Sequence, residues 1–138
     1  MDKALNYVAL ARKAGLIELG EEPVGAITRS GKGYLVAVAS DASDHTWRRA
    51  KSFVAGTEQQ TIRIPFTKEE FGFVVGRTSL AIGAFTDAAM ALAFLKALPD
   101  GEKYAKEAEI LDAKNQKLRQ RQKEAKAHQR NVRTGKKK

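Results

Sequence analysis

Asp41, Asp44 and His45 lie close enough in sequence to pass a proton between them if a fold brought them together. The same stretch, Ser40-Asp-Ala-Ser43, separates a strand-like run from a helix-like run, where short oxygen-bearing side chains cap free backbone N–H groups. Capping is the reading adopted. Gly31-Lys32-Gly33 hints at a phosphate loop but has neither the Walker spacing nor the following Ser or Thr. Gly72-Phe-Val-Val-Gly76 carries the spacing of membrane helix pairs, yet it falls in a short helix of a soluble type, where close packing is the simpler use. With no cysteine and two histidines, the chain excludes disulfides, thiolate metal sites and cysteine nucleophiles, and argues against a His-rich metal site. No enzyme activity, metal or cofactor is therefore expected.

Charge is what remains. Of 138 residues, 25 are Lys or Arg and 16 Asp or Glu, a formal net charge of +9. Residues 1–98 hold 12 basic and 10 acidic side chains, residues 99–138 hold 13 and 6, and residues 113–138 alone hold 11 and 1. The cations of that last stretch are Lys114, Lys117, Arg119, Arg121, Lys123, Lys126, Arg130, Arg133, Lys136, Lys137 and Lys138. Such density displaces counterions from a phosphate backbone, giving affinity with little sequence preference and a steep loss with salt. Nucleic acid is the usual partner of a basic chain, with acidic proteins and anionic lipid admitted by the same charge. No aromatic residue interrupts residues 113–138, so base stacking adds little there.

The elements that must position these groups follow from periodicity. Asp2 to Ala14 reads as a helix stopped by Gly15, and Leu16 to Leu19 as a short strand. Glu21-Glu22-Pro23 suits a helix start, because carboxylates favour the positive end of the dipole and Pro tolerates the first turn. Tyr34 to Ala39 is a continuous apolar run, expected of a central strand covered on both faces. A helix with Trp47, Ala50, Phe53 and Val54 follows, then a strand at Thr61 to Ile64. Thr67-Lys-Glu-Glu70 is a capping box opening a helix to about Val75. Leu80 to Phe85 is the fourth strand, and Thr86 or Asp87 caps a helix that ends at Pro99.

Strict alternation of five helices and four strands implies an α/β fold, a three-layer α/β/α sandwich with a four-stranded mixed sheet. The domain is expected over residues 1–98, with a charged helical tail over 99–138 that is basic and disordered at its end from Arg133. Tyr104, Leu111 and Leu118 recur every seven residues, but Ala108, Asn115, Gln122 and Ala125 make that seam too polar for a coiled coil, so a monomer is expected off its ligand. The N-terminal Met-Asp-Lys-Ala has no basic segment leading into an apolar run, and no stretch reaches membrane-spanning length; a cytoplasmic protein with no membrane partner is expected.

Leu10-Ala-Arg-Lys-Ala-Gly15, Leu19-Gly-Glu21, Arg29-Ser-Gly-Lys32, Leu35-Val-Ala-Val-Ala-Ser-Asp-Ala-Ser43, Phe66-Thr-Lys-Glu-Glu-Phe-Gly72, Val75-Gly76 and Phe85-Thr-Asp87 fall in one order at familiar spacings. Over residues 4–98 the chain resembles the ribosomal L-seven-Ae and L-thirty-e superfamily of kink-turn RNA-binding proteins, nearest its bacterial YlxQ-like branch. The resemblance implies an α/β/α sandwich and RNA held by the helix start at Gly20 and the loop after Gly76. It places the RNA-facing residues at Gly20, Glu21 and Glu22, with Arg29, Lys32, Arg77, Thr78 and Ser79 expected near those two loops. Where the family carries Asn or Lys, then Glu or Gln, then Lys, this chain has Glu22, Pro23 and Ala26. Pro23 and Ala26 offer neither a polar edge for sheared G·A pairs nor a charge for phosphate.

These features imply a non-enzymatic, ribosomal or ribosome-associated RNA-binding protein. Its domain would bind structured RNA, expected to be ribosomal, and its tail the phosphate backbone. The departures at Glu22, Pro23 and Ala26 support an alternative: a protein-interaction module of the translation or transcription machinery, docking ribosomal or translation-factor proteins.

Overall fold

Leu35–Val38 forms β2, and all four of its residues are buried, as a continuous apolar run requires when both faces of a strand are covered. In a computed structural model that describes residues 2–133, β2 lies inside a four-stranded sheet built with β1 (Ile17–Leu19), β3 (Gln60–Arg63) and β4 (Ile82–Phe85). The order is β1-β4-β2-β3, with β2 and β3 parallel and β4 antiparallel to both β1 and β2. The expected mixed sheet is present, and the register sets its ends. Val38 pairs Ile82 and Leu19 pairs Gly83 at one end; Leu35 and Ile17 both pair Phe85 at the other.

Six α-helices complete the described residues: α1 (Lys3–Ala14), α2 (Glu21–Arg29), α3 (Asp44–Val54), α4 (Lys68–Phe73), α5 (Ala88–Ala97) and α6 (Ala105–Arg133), the last preceded by a 3-10 turn at Gly101–Tyr104. Their ends carry the signals read from the sequence. Asp2 accepts from Ala4 N at 2.8 Å, and Gly15 takes the left-handed conformation (φ 71°) that releases the chain toward β1. Thr67 and Glu70 complete the capping box, with Thr67 N donating to Glu70 Oε1 at 2.9 Å and Glu70 N to Thr67 Oγ1 at 3.1 Å. Asp87, not Thr86, caps α5 by accepting from Met90 N.

α2 and α3 cover β1–β4 on one side, while α1 and α5 pack together on the other, where Phe85 of β4 meets Phe94 of α5 at 4.9 Å between ring centres. α6 packs along α5, so α5 lies between two helices. Its sequence, Ala-Ala-Met-Ala-Leu-Ala-Phe-Leu-Lys-Ala, is apolar on nearly every side, as a helix covered twice must be. The seam Tyr104, Leu111, Asn115 is buried against the domain. Lys136, Lys137 and Lys138, with the expected disordered end, lie outside the described residues; Arg130 and Arg133 are described as backbone positions of α6 only.

Candidate functional site

Three segments meet where β1 and β2 end and β4 begins. Gly20 N donates to Ile82 O at 3.0 Å, Ala39 N to Ala81 O at 2.9 Å, and Ser40 N to Phe66 O at 2.8 Å. The Asp41 carboxylate accepts from Lys68 N at 2.7 Å and so serves the start of α4, while Ser43 caps α3 by accepting from Thr46 N at 3.2 Å. His45 is exposed. The Asp41–His45 stretch is thus used in building turns.

The loop from Gly76 to Leu80 is held against α4 by backbone hydrogen bonds, with the Leu80 side chain buried in the core. Gly72 O accepts from Val75 N at 3.0 Å and Arg77 N at 2.9 Å, and Lys68 O accepts from Leu80 N at 2.9 Å. Contact is so close that a β-carbon on Gly72 would stand 2.9 Å from the N, Cα and C of Ser79, closer than any real side chain tolerates. Gly76 makes the reversal with φ 75°. Arg77, Thr78 and Ser79 are consequently exposed, and line a cleft of about 610 Å³ with Asp41, Lys68, Glu69 and Phe73.

This loop reaches the start of α2, as expected. Gly20 (φ 99°, ψ 160°) precedes the helix, and a β-carbon built on it would lie 3.8 Å from a terminal nitrogen of Arg77. The first-turn N–H groups of α2 point out of this end of the helix. Of its two carboxylates, Glu21 is held by Arg49 of α3 at 2.7 Å, and the Arg49 guanidinium stacks 5.1 Å over the Phe53 ring. Glu22 is exposed.

Arg29 and Lys32 are placed elsewhere. Arg29 closes the other end of α2, nine residues and about 13 Å of helix from Gly20, and Lys32 lies beyond that end. Arg29 lies back over Gly25 beside Phe53: a β-carbon on Gly25 would be 3.2 Å from both side chains. Lys32 is exposed in the turn toward Tyr34. α6 comes close to that end of the sheet, where Lys114 pairs with Glu58 at 3.1 Å and lies 5.8 Å from the Tyr34 ring centre. The hydrogen bond and charge of Lys114 hold the Glu58 carboxyl below the usual glutamate range. Lys117, Leu118 and Arg121 join Tyr34, Glu58 and Lys114 around a smaller recess of about 200 Å³. Arg119, Lys123 and Lys126 are exposed farther along.

Two residues at the cleft escaped the sequence reading. Phe73 is 76% exposed while Phe71, two positions earlier, is fully buried. Residues two apart on a helix point to nearly opposite sides, so Phe-Gly-Phe in a short helix obliges one ring to face water. Lys68, read only as part of a capping box, lines the same cleft as Arg77. A free aromatic ring, two cations and two hydroxyls are groups that stack a base and meet phosphate or sugar. Among the described residues there is no group of three or more His, Cys, Asp or Glu side chains placed to hold a metal ion, and no helix long and apolar enough to cross a membrane.

No protein-family model matches the chain. Over 81 residues it is 32% identical to the RNA-binding protein YlxQ of Enterococcus faecium, spanning 59% of this chain and 78% of that protein. A Bacillus halodurans protein of unknown function has the same fold, with TM-score 0.65 and 22% identity over 70% of this chain and 97% of the other. The Giardia lamblia 15.5kD RNA-binding protein superposes with TM-score 0.57 and 16% identity over 69% of this chain and 81% of its own. At such identities the two structures establish the fold alone.

Proposed function

We propose that this chain, which belongs to the YlxQ family of L-seven-Ae-like proteins, is a non-enzymatic protein that binds structured RNA, with ribosomal RNA as the first candidate. The carrying observation is the exposure of Arg77, Thr78 and Ser79 on a cleft that also presents Phe73 and Lys68, with Arg77 reaching Gly20 at the start of α2. The cleft supplies shape and a stacking surface. The α6 cations supply phosphate contacts with little sequence preference. Because Glu22, Pro23 and Ala26 replace the polar groups that read sheared G·A pairs, the cleft loop carries more of the recognition than the start of α2. A role beside the ribosome in the cytoplasm fits this reading.

Fluorescence anisotropy with structured ribosomal RNA fragments tests it. Phe73→Ala should remove one stacked base, about 1–3 kcal/mol or roughly 5- to 150-fold in Kd. Arg77→Ala should weaken binding and flatten the salt dependence by about one unit of slope. Wild-type affinity in both variants would refute the cleft as the RNA site.

A second reading, a docking module for a translation or transcription protein, is favoured by the Glu21–Arg49 pair, which occupies a carboxylate at the start of α2 with a partner inside the chain. Purification with and without nuclease separates the two. A protein partner survives RNA digestion, whereas an RNA-tethered one is lost.

A further inference from the structure

α6 is directed away from the cleft. Just before it, the Tyr104 hydroxyl donates to Arg63 O at 3.2 Å, at the end of β3 that pairs Val38 and so lies nearest the cleft. Farther along, Lys114 meets Glu58 and Tyr34 beside the opposite sheet end. The helix therefore runs the length of the domain and leaves it at the far end. From residue 119 to 129 every side chain is exposed, and positions 119 to 133 carry the axis about 21 Å onward.

Most of the positive charge on this arm lies on one face. Arg119, Lys123 and Lys126, with helix positions 130 and 133, recur at alternating steps of four and three, which keeps all five on one side. The opposite side carries Arg121 and the arm's single carboxylate, Glu124, which accepts from Gln120 Nε2 at 3.2 Å, so the row face holds cations alone. A solubilising helix needs net charge but no sorting. Like charges at these spacings repel and weaken an isolated helix, and an extended polyanion lying along the row relieves that repulsion.

We propose that one chain bridges two RNA segments, the cleft holding the first and the cationic row of α6 lying along the phosphates of a second, duplex segment. The first contact rests on the proposed function; the second rests on the direction of α6 and its sorted charge. A compact RNA seated at the cleft is separated from the row by the whole length of the sheet. An A-form duplex suits the row because its phosphates form continuous tracks and no base need be read.

The test uses the full chain, a short hairpin immobilised on a surface, and a labelled RNA duplex in solution. Wild-type protein should capture the duplex on the hairpin at a stoichiometry of one chain to two RNAs, measured by mass photometry in solution. Arg119→Glu/Lys123→Glu/Lys126→Glu should lower captured duplex per bound hairpin by at least about tenfold and reduce the salt slope of capture by roughly three. Circular dichroism must show the variant still helical; the matching Gln triple, which removes charge without reversing it, should give an intermediate loss. Failure of wild-type protein to capture duplex, equal capture by the triple variants, or two chains per pair of RNAs would overturn bridging. If instead Phe73→Ala/Arg77→Ala leaves hairpin binding unchanged while the Glu triple abolishes it, the cleft reading fails and the arm is the single RNA site, which overturns bridging as well.

Discussion

Gly72→Ala is the smallest change that should move the cleft loop. Its added carbon would sit 2.9 Å from three backbone atoms of Ser79, against an ordinary carbon contact of about 3.5–4.0 Å, so the loop must retreat by roughly 1 Å. No flexible side chain is available to give way. Retreat strains the bonds from Arg77 N to Gly72 O and from Leu80 N to Lys68 O, each worth about 0.5–1.5 kcal/mol. Forcing volume into a packed site otherwise costs about 1–3 kcal/mol. Ala gains about 1 kcal/mol over Gly inside a helix, leaving a net loss of about 1–2 kcal/mol. For a chain of this size the melting temperature should fall by roughly 3–8 °C. Arg77, Thr78 and Ser79 move with the loop, so RNA affinity should fall about tenfold, equivalent to about 1.4 kcal/mol. Gly101→Ala is the control, since no heavy atom lies within 4 Å of its added carbon. Thermal melts and anisotropy on the two variants decide the matter. A Gly72→Ala protein that melts at or above wild type and binds RNA equally would refute the claim that packing on α4 fixes the loop.

Four further outcomes follow from the docking of α6 and from the buried polar groups. Leu111→Ala, at a fully buried position, should cost about 2–5 kcal/mol and speed proteolytic cleavage within α6, read by limited digestion. Gln59→Leu removes the acceptor for Gly33 N (3.0 Å) and the donor to Thr28 O (3.0 Å), leaving buried backbone groups unpaired at a cost of about 2 kcal/mol or more in urea unfolding. The α6 contacts also titrate. Glu58 is lowered by its hydrogen bond to Lys114, so its contribution is present above the ordinary glutamate range and lost as pH falls through the lowered value; Lys114→Gln should abolish that acid sensitivity of α6 proteolysis. Tyr104 is raised, first by burial and then by the charges of Asp100 and Glu107, so its contribution is full below the ordinary tyrosine range and lost as pH rises through the raised value; Tyr104→Phe should delete a phenolate transition above the ordinary tyrosine range in an absorbance titration.

The alternation of elements was legible because each boundary carries local chemistry: Asp2, Ser43, Thr67 and Asp87 all accept from the backbone of the helices they open. Boundaries set by distant partners were less so. Leu80 and Ala81 read as strand, yet Leu80 gives its N–H to Lys68 O on α4, and β4 begins only at Ile82. The meeting of Gly20 with Arg77 followed from family spacing. Arg29 and Lys32 are expected near the two loops, but α2 carries Arg29 to its far end, about 13 Å of helix from Gly20, with Lys32 beyond it. The docking of α6 had its signal in the neighbouring helix. Asn115 and Ala108 look too polar for a self-associating seam, whereas α5, apolar on nearly every side, requires a second cover beyond α1.

On the proposed function, charge divides the work of binding between the two ends. Around the cleft Lys68 and Arg77 face Asp41 and Glu69, a formal sum of zero, and Glu21 at the start of α2 is neutralised by Arg49. Long-range attraction there is weak, so an RNA bound in the cleft would be held by stacking on Phe73 and by short contacts that form only after arrival. The α6 arm is the reverse, an exposed cationic row with no aromatic to grip a base. Such a row accelerates encounter with a polyanion and does little to retain a particular one, because electrostatic steering acts on association and packed contacts on dissociation. On the proposed reading the two ends therefore separate kinetically. Neutralising the arm should slow association and leave dissociation from the cleft nearly unchanged, while Phe73→Ala should speed dissociation and leave association nearly unchanged. Stopped-flow mixing at two salt concentrations distinguishes them, and an arm variant that altered only dissociation would show that α6 grips RNA by something other than charge.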